Sequence, residues 1–394
     1  MRMRLVAAPP FTTLPFKILP FKTLPLATPL LTILLLASLL VAASPGAARA
    51  TEPAPLVPER RFRVEGDFSG GRGEVANDLS GFACAPEESG GRRVCVVVDD
   101  QTRFVQVAFL KAGALVPGDV VKIVDRDRED EIRGRPPQDP QNPDDQGVFK
   151  DFDGEAVAYA APYFYVLGSH GRSRGEGEFL RSSFVSARFR LDDAGKLKGE
   201  VETTYRLADA LLVAEQARPF FARKLQDRGL NLEGLVVVDG LFFVGARAPS
   251  IEGDALLIGA PVEDLFAPGH ERLPMRVTEI GLSLGEKAGV RDLAVLPDGR
   301  LLILSGPTRE QKEEPFSLLV APRPSPQAAS PLKPTLLGRL EEVWTPDRNN
   351  EPKRAKPEAV LPLEAGNGEL RALILYDTAR NGRPTEFRAP LPPG

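Results

Sequence analysis

One hairpin grammar recurs five times along this chain, and that recurrence constrains the fold more than any composition figure. Each copy has a polar entry, a run of small or apolar residues, a tight turn, a second apolar run and a polar exit. The copies lie at 78–100 (DLSGFACAPEESGGRRVCVVVDD), 151–170 (DFDGEAVAYAAPYFYVLGSH), 231–247 (NLEGLVVVDGLFFVGAR), 290–307 (VRDLAVLPDGRLLILSGP) and 356–379 (KPEAVLPLEAGNGELRALILYDTA). The runs VCVVV, LVVV, LFFV, LLIL and LILY do not alternate apolar with polar residues, so each strand is expected to be buried on both faces. A parallel α/β sheet would need a helix after every strand. Here Asp239-Gly240 and Pro297-Asp298-Gly299 join neighbouring runs within a few residues, which is hairpin chemistry. Blades packed face to face around an axis satisfy both conditions.

The expected fold is therefore all-β: a β-propeller of about five four-stranded blades. Outer strands fall at 103–109 and 119–124, 183–190 and 199–206, 254–260 and 275–284, and 316–321 and 335–344. The fifth unit adds only 385–389, one strand short, and the unassigned stretch 61–68 (RFRVEGDF) is expected to close the last blade. Residues 207–228 break the β pattern with helical spacing of Leu207, Leu211 and Leu212 and read as one helical insertion.

Residues 1–50 read as an export signal, with Arg2 and Arg4 before an apolar run at Leu30–Ala43 and a small-x-small site at Ala48-Arg49-Ala50. The run is shorter than the roughly 20 residues that span a bilayer. Cleavage after Ala50 would leave a Pro-rich, mobile lead-in at 51–60, a single propeller domain at 61–390 and no membrane span. The expected location is periplasmic or secreted, as a monomer. Removing five of the 50 basic residues and none of the 54 acidic ones leaves a net charge of −9, which argues against a nucleic-acid partner. Export would permit a disulfide between Cys84 and Cys95, which flank one hairpin turn; reduced buried thiols are the alternative.

In each hairpin the start of the first strand lies beside the end of the second. Turn counting sets Ser80 opposite Asp99, Glu155 opposite Gly168, Glu233 opposite Ala246, Asp292 opposite Ser305, and Glu358 near Tyr376 and Asp377. If these hairpins are innermost, one rim of the central channel carries Glu155, Glu233, Asp292 and Glu358. Such a ring of carboxylates would raise its own pKa values unless compensated. Two readings remain open: a hard cation such as Ca²⁺, or an architectural role in which each carboxylate accepts backbone N–H groups from the next blade. Residues that do not repeat are the ligand candidates: Ser169, His170, Arg172 and Arg247, with Arg174 and Arg181 nearby, arginines being suited to bidentate grip of an anion. Asp125-x-Asp127-x-Glu129 and Asp151-x-Asp153-Gly154-Glu155 resemble calcium loops without the EF-hand spacing. Gly171-Arg172-Ser173-Arg174-Gly175 matches G-x-S-x-G but lies in a charged loop rather than a strand–turn–helix. The sequence holds no phosphate loop and no dinucleotide fingerprint.

The signatures DLSGFA, NLEGLVV-x-DG-LFFVGAR, YVLGSH, GVRDLAVLPDGRLLILSGP and KPEAV resemble a bacterial family known as domain of unknown function 3616, over most of residues 62–390. The [DN]-L-[ES]-G-[LF] entry is also similar to propellers called esterase-like or phytase-like. That resemblance implies six or seven blades and a metal-assisted hydrolase, from which this chain departs in Ser80 and in its few rim histidines. The expected function is an exported propeller that binds an anionic small molecule, glycan or protein at the channel rim. The alternative is a calcium-assisted phosphoester or lactone hydrolase in which rim carboxylates hold the metal, His170 moves protons and Arg247 steadies developing charge.

Overall fold

Asp239 and Gly240 both take positive φ, at 50° and 73°, as do Asn367 and Gly368 at 50° and 80°; this is what a two-residue hairpin turn of the right twist requires. These two turns close the third and fifth inner pairs, a cis Ala161-Pro162 turn closes the second, and all five sequence repeats form antiparallel pairs. The computed structural model describes residues 53–394 except 88–90, 310, 312, 329 and 347–350; the expected signal segment 1–50 lies outside the described residues.

Each pair is the inner half of a blade. Blade one runs Leu79–Cys84, Arg93–Asp99, Phe104–Lys111, Ala114–Lys122, and blade two Gly154–Ala160, Tyr163–Gly168, Ser186–Leu191, Leu197–Thr204. Blade three runs Asn231–Val238, Leu241–Ile251, Asp254–Pro261, Thr278–Ser283, and blade four Ala288–Val295, Leu301–Pro307, Ser317–Ala321, Thr335–Arg339. Blade five has Lys356–Gly366, Glu369–Asp377 and Thr385–Pro390, and its fourth strand is Arg60–Arg61, paired with Thr385 and Glu386. The five first strands touch one another in a closed cycle, so the protein is a five-bladed β-propeller rather than a six- or seven-bladed one.

The strand expected at 61–68 divides. After Arg60–Arg61, the Phe62 side chain turns into the core between blades one and five. Arg63–Val64 then leaves blade five to pair in parallel with Ala114 and Leu115 on the outer edge of blade one. The lead-in is also not free. Leu56 N–H donates to the Arg339 carbonyl at 2.7 Å, Glu341 N–H donates to the Leu56 carbonyl at 2.9 Å, and the Leu56 side chain is buried. The helical insertion is a single helix, Arg206–Val213, followed by isolated turns at Arg218–Phe220 and Leu225–Asp227. Its buried Arg206 guanidinium donates to the carbonyls of Ala267 and Gly269, tying the insertion to a loop of blade three.

The core fills the gaps between blades. Phe82, Val97, Leu361, Leu373 and Leu375 pack between blades one and five. Val236, Phe243, Leu257, Leu301 and Ile303 pack between blades three and four. Burying each such side chain contributes about 1.5–3 kcal/mol, which explains why these strands are apolar on both faces. Inner strands approach closely at the hub: a Cβ on Gly81 would lie 2.7 Å from the Ala156 Cα. That contact accounts for the glycine in the DLSG signature. Cys84 and Cys95 are register partners and form a disulfide.

Candidate functional site

A β-bulge interrupts every inner hairpin at the same height, and the bulge residue is the repeated rim position. Pairing skips from Leu79 to Gly81, from Gly154 to Ala156, from Leu232 to Gly234, from Val290 to Asp292 and from Pro357 to Ala359. A bulge re-aims one side chain out of the pleat. The five bulge residues are Ser80, Glu155, Glu233, Arg291 and Glu358.

Blade four therefore differs from the sequence expectation by one residue. Arg291, not Asp292, occupies the slot, because Asp292 pairs with Leu304 rather than Ser305. The Asp292 carboxylate is used within the frame: it accepts N–H from Leu293 at 2.8 Å and, across the blade boundary, from Val360 at 2.7 Å. Of the four carboxylates proposed for a metal, this one has the architectural role.

Arg291, fully buried, spans two neighbours. Its Nη1 lies 2.9 Å from Glu233 Oε2 and its Nη2 donates to Glu358 Oε1. The other Glu233 oxygen accepts from Arg247 Nη1 at 2.9 Å. Burial works against ionising Glu233, yet Arg247 and Arg291 together hold its pKa below the usual carboxylate value. Glu358 shares only one guanidinium, and burial pushes it up to about 7. Beyond this charged layer the five inner strands enclose a cavity of about 120 Å³, lined by Val157, Val236, Leu293 and Val360 among others.

On the blade one and two side the balance is different. Asp100, Asp153 and Glu155 place one oxygen each within 4.8 Å of the others. Blade one, whose bulge holds Ser80, supplies its acid from the end of its second strand instead. Burial raises Asp100 and Glu155 well above the carboxylate range, and Asp153 repels both of them. Compensation is thin: the half-exposed Arg174 stands 3.8 Å from Glu155, and Ser169 Oγ donates to Asp153. This cluster could hold a metal ion. Asp99 adjoins it; burial, with Asp78 and Asp377 adding repulsion, pushes it up to about 7, and its Oδ2 is buried with no hydrogen-bond partner.

The other sequence candidates are placed as follows. His170 is fully buried at a positive φ of 52°, with Nδ1 2.8 Å from the Gly168 carbonyl and its ring edge-on to Phe184. Burial depresses it to about 4, so it is neutral and sealed from the rim, which removes the physical basis for a proton-moving role there. Arg172 is committed to Asp139, to the Ala222 carbonyl and to the Gly177 carbonyl, and Arg181 to Glu129, so neither guanidinium is free for an anion. Arg247 is paired through Nη1 with Glu233, and its Nε is buried with no hydrogen-bond partner. Glu155 and Ser169 stay at the site, whereas Asp100 and Asp99 were missing from the sequence candidates. Their signal was present as the Asp99-Asp100 doublet closing the first hairpin, on the rim that Asp151-x-Asp153-Gly154-Glu155 enters.

Among solved structures the chain is similar to the α-L-arabinofuranosidase of Podospora anserina in complex with cellotriose (12% identity, 87% of this chain and 99% of that one, TM-score 0.43). It is similar too to the α-L-arabinanase of Penicillium chrysogenum complexed with arabinobiose (10% identity, 86% and 99%, TM-score 0.40) and to a luciferin-regenerating enzyme (11% identity, 80% and 78%, TM-score 0.30). No curated protein matches it by sequence. One family model matches residues 179–389, a segment that holds Glu233, Arg247, Arg291 and Glu358 but not Asp100, Asp153 or Glu155. That segment is more than half of the chain, and the chain belongs to the family described as protein of unknown function DUF3616.

Proposed function

We propose that this protein binds an anionic small molecule, glycan or protein at the hub face through a divalent cation held by Asp100, Asp153 and Glu155. The carrying observation is the mismatch of charge. Arg172 and Arg247, expected to grip an anion, are paired with Asp139 and Glu233, while three crowded carboxylates share the single Arg174, 3.8 Å from Glu155. A cation reconciles the two: it neutralises the acids and leaves coordination positions for ligand oxygens. Oxygen-only donors in an irregular arrangement suit Ca²⁺ better than the strict octahedron of Mg²⁺. Calorimetric titration of chelator-treated protein with Ca²⁺ tests it. One site is expected, lost in Asp153→Asn/Glu155→Gln with the fold kept; absence of Ca²⁺ and Mg²⁺ binding would end the reading.

The hydrolase reading is favoured by one observation. Asp99, beside Asp100, has a buried Oδ2 with no hydrogen-bond partner, a carboxylate oxygen left over by the frame and placed next to the trio, where general acid–base work beside a metal would need it. Under that reading Asp99 moves the proton in place of His170. Turnover of p-nitrophenyl phosphate or a simple lactone that needs Ca²⁺ and falls in Asp99→Asn would select it; a Ca²⁺-bound protein without turnover is the binding module.

Export to the periplasm or medium fits the same picture. The described residues contain no helix long and apolar enough to cross a membrane, and the Cys84–Cys95 disulfide suits an oxidising compartment.

A further inference from the structure

The only tryptophan of the chain, Trp344, is 54% exposed. It belongs to a two-stranded hairpin, Trp344–Pro346 with Pro352–Arg354, between blades four and five. The hairpin is fastened to the hub. Thr345 Oγ1 donates to the Thr378 carbonyl at 3.0 Å, one residue past the rim acid Asp377, and Arg383 Nη1 donates to the Trp344 carbonyl at 3.3 Å. Arg354, the cross-strand partner of Trp344, lies over the Phe316 ring at 5.4 Å, and hub Arg291 lies over the same ring at 6.0 Å. One aromatic ring thus separates the hairpin from the charged layer of the channel.

We propose that Trp344 is a stacking platform for a saccharide, and that the ligand of the hub is an oligosaccharide. This rests on the cation reading above and names its ligand class. An exposed indole offers a rigid apolar face that matches the C–H face of a sugar ring, while the ring's hydroxyls look outward to polar partners. Among the described residues, Trp344 pairs across its strand with Arg354, which is itself 3.1 Å from Glu342, and Arg383 donates to its carbonyl, so the hairpin that carries the indole is charged where the core of a protein interface is depleted of charge. The carboxylate trio supplies the second half of the recognition, since a cation there takes hydroxyl or uronate oxygens. Trp344 belongs to the hairpin between blades four and five and the trio to blades one and two, so a saccharide that engages both is a chain of sugar units rather than one ring.

Affinity electrophoresis of the purified protein in gels containing polygalacturonate, arabinan or xylan, with and without Ca²⁺, tests this, alongside calorimetric Ca²⁺ binding on the same samples. The expected result is Ca²⁺-dependent retardation by at least one polysaccharide, about tenfold weaker in Trp344→Ala and partly kept in Trp344→Phe, with Ca²⁺ affinity unchanged in both. The retarding saccharide should also shift the emission of Trp344, which is the whole tryptophan signal of the protein. Ca²⁺ binding without retardation by any of the three overturns the saccharide assignment alone, and leaves a protein or small anion as the hub ligand. Retardation that Trp344→Ala does not weaken overturns the platform. Loss of Ca²⁺ binding in the wild type overturns the cation reading instead.

Discussion

Arg291 Nη1 sits 2.9 Å from Glu233 Oε2 in the centre of the ring, both side chains almost wholly shielded from water, although they belong to adjacent blades. The same guanidinium also reaches Glu358, so one cation holds three blades together at the axis. Removing it leaves buried Glu358 without its guanidinium, while Glu233 keeps only Arg247. Arg291→Met is expected to cost about 3–5 kcal/mol in urea unfolding at pH 8, the range for breaking a buried pair from one side. The deficit should shrink at pH 5, where Glu358, left without a partner, is protonated. A loss unchanged by pH would mean that packing of the long side chain, not its charge, is what matters.

Asp99 gives a pH dependence of opposite sign to ordinary acid denaturation. Its folded pKa is raised from 3.8 to about 7, so the native state holds a proton that the unfolded chain has already released. Its contribution is complete below about pH 4 and disappears as pH climbs through 7. The melting temperature of Asp99→Asn relative to wild type should therefore rise steadily between pH 4 and 7 and level off above. Saturating Ca²⁺ at pH 8 should stabilise the wild type, because the cation favours the ionised rim.

His170 works in the other direction. Its folded pKa is depressed from 6.5 to about 4, so the unfolded state takes up the proton first. Stability from this residue is present above pH 6.5 and is lost as pH falls towards 4. His170→Asn should be less stable than wild type at pH 8, through lost contact with Phe184, and the gap should narrow at pH 4.5. Melting curves at the two values decide it.

Glu386 receives Arg60 from the closing strand at 2.9 Å and Arg371 from its own blade at 2.7 Å, and its carboxyl is held below the usual range despite being buried, by Arg371 first and Arg60 after it. Glu386→Ala is expected to destabilise by about 2–3 kcal/mol and to expose the 53–64 segment to protease before the rest of the ring. Cleavage that begins elsewhere would show that the seam is held by Phe62 and Leu56 rather than by this ion pair.

The blades were legible in the sequence because doubly buried strands and short turns leave few alternatives for Leu301–Pro307 or Leu241–Ile251. What could not be read was register at the bulges. Sequence alignment of VRDLAV with KPEAVL sets Asp292 level with Glu358, yet the bulge admits Arg291, and a slip of one residue exchanges the side chain facing the axis for one facing the blade. The fate of the arginines was hidden for a related reason. Arg172 finds Asp139 across 33 residues of sequence and Arg247 finds Glu233 across the hairpin, and nothing local in SHGRSRG distinguishes a spent guanidinium from a free one. Asp100 was overlooked because it lies just past its strand, where pattern reading stops at Asp99.

The five bulges have an outcome beyond the present ligand question. Each blade offers one equivalent socket towards the axis, and this chain fills the sockets with Ser80, Glu155, Glu233, Arg291 and Glu358. The letters can be rewritten while the surrounding ladder stays intact, so a duplicated hairpin becomes a scaffold whose chemistry is spelled by five positions. Descendants of such a gene can trade one recognition task for another by exchanging these side chains, provided the buried charges change as a matched set, as Glu233, Arg291 and Glu358 are matched here.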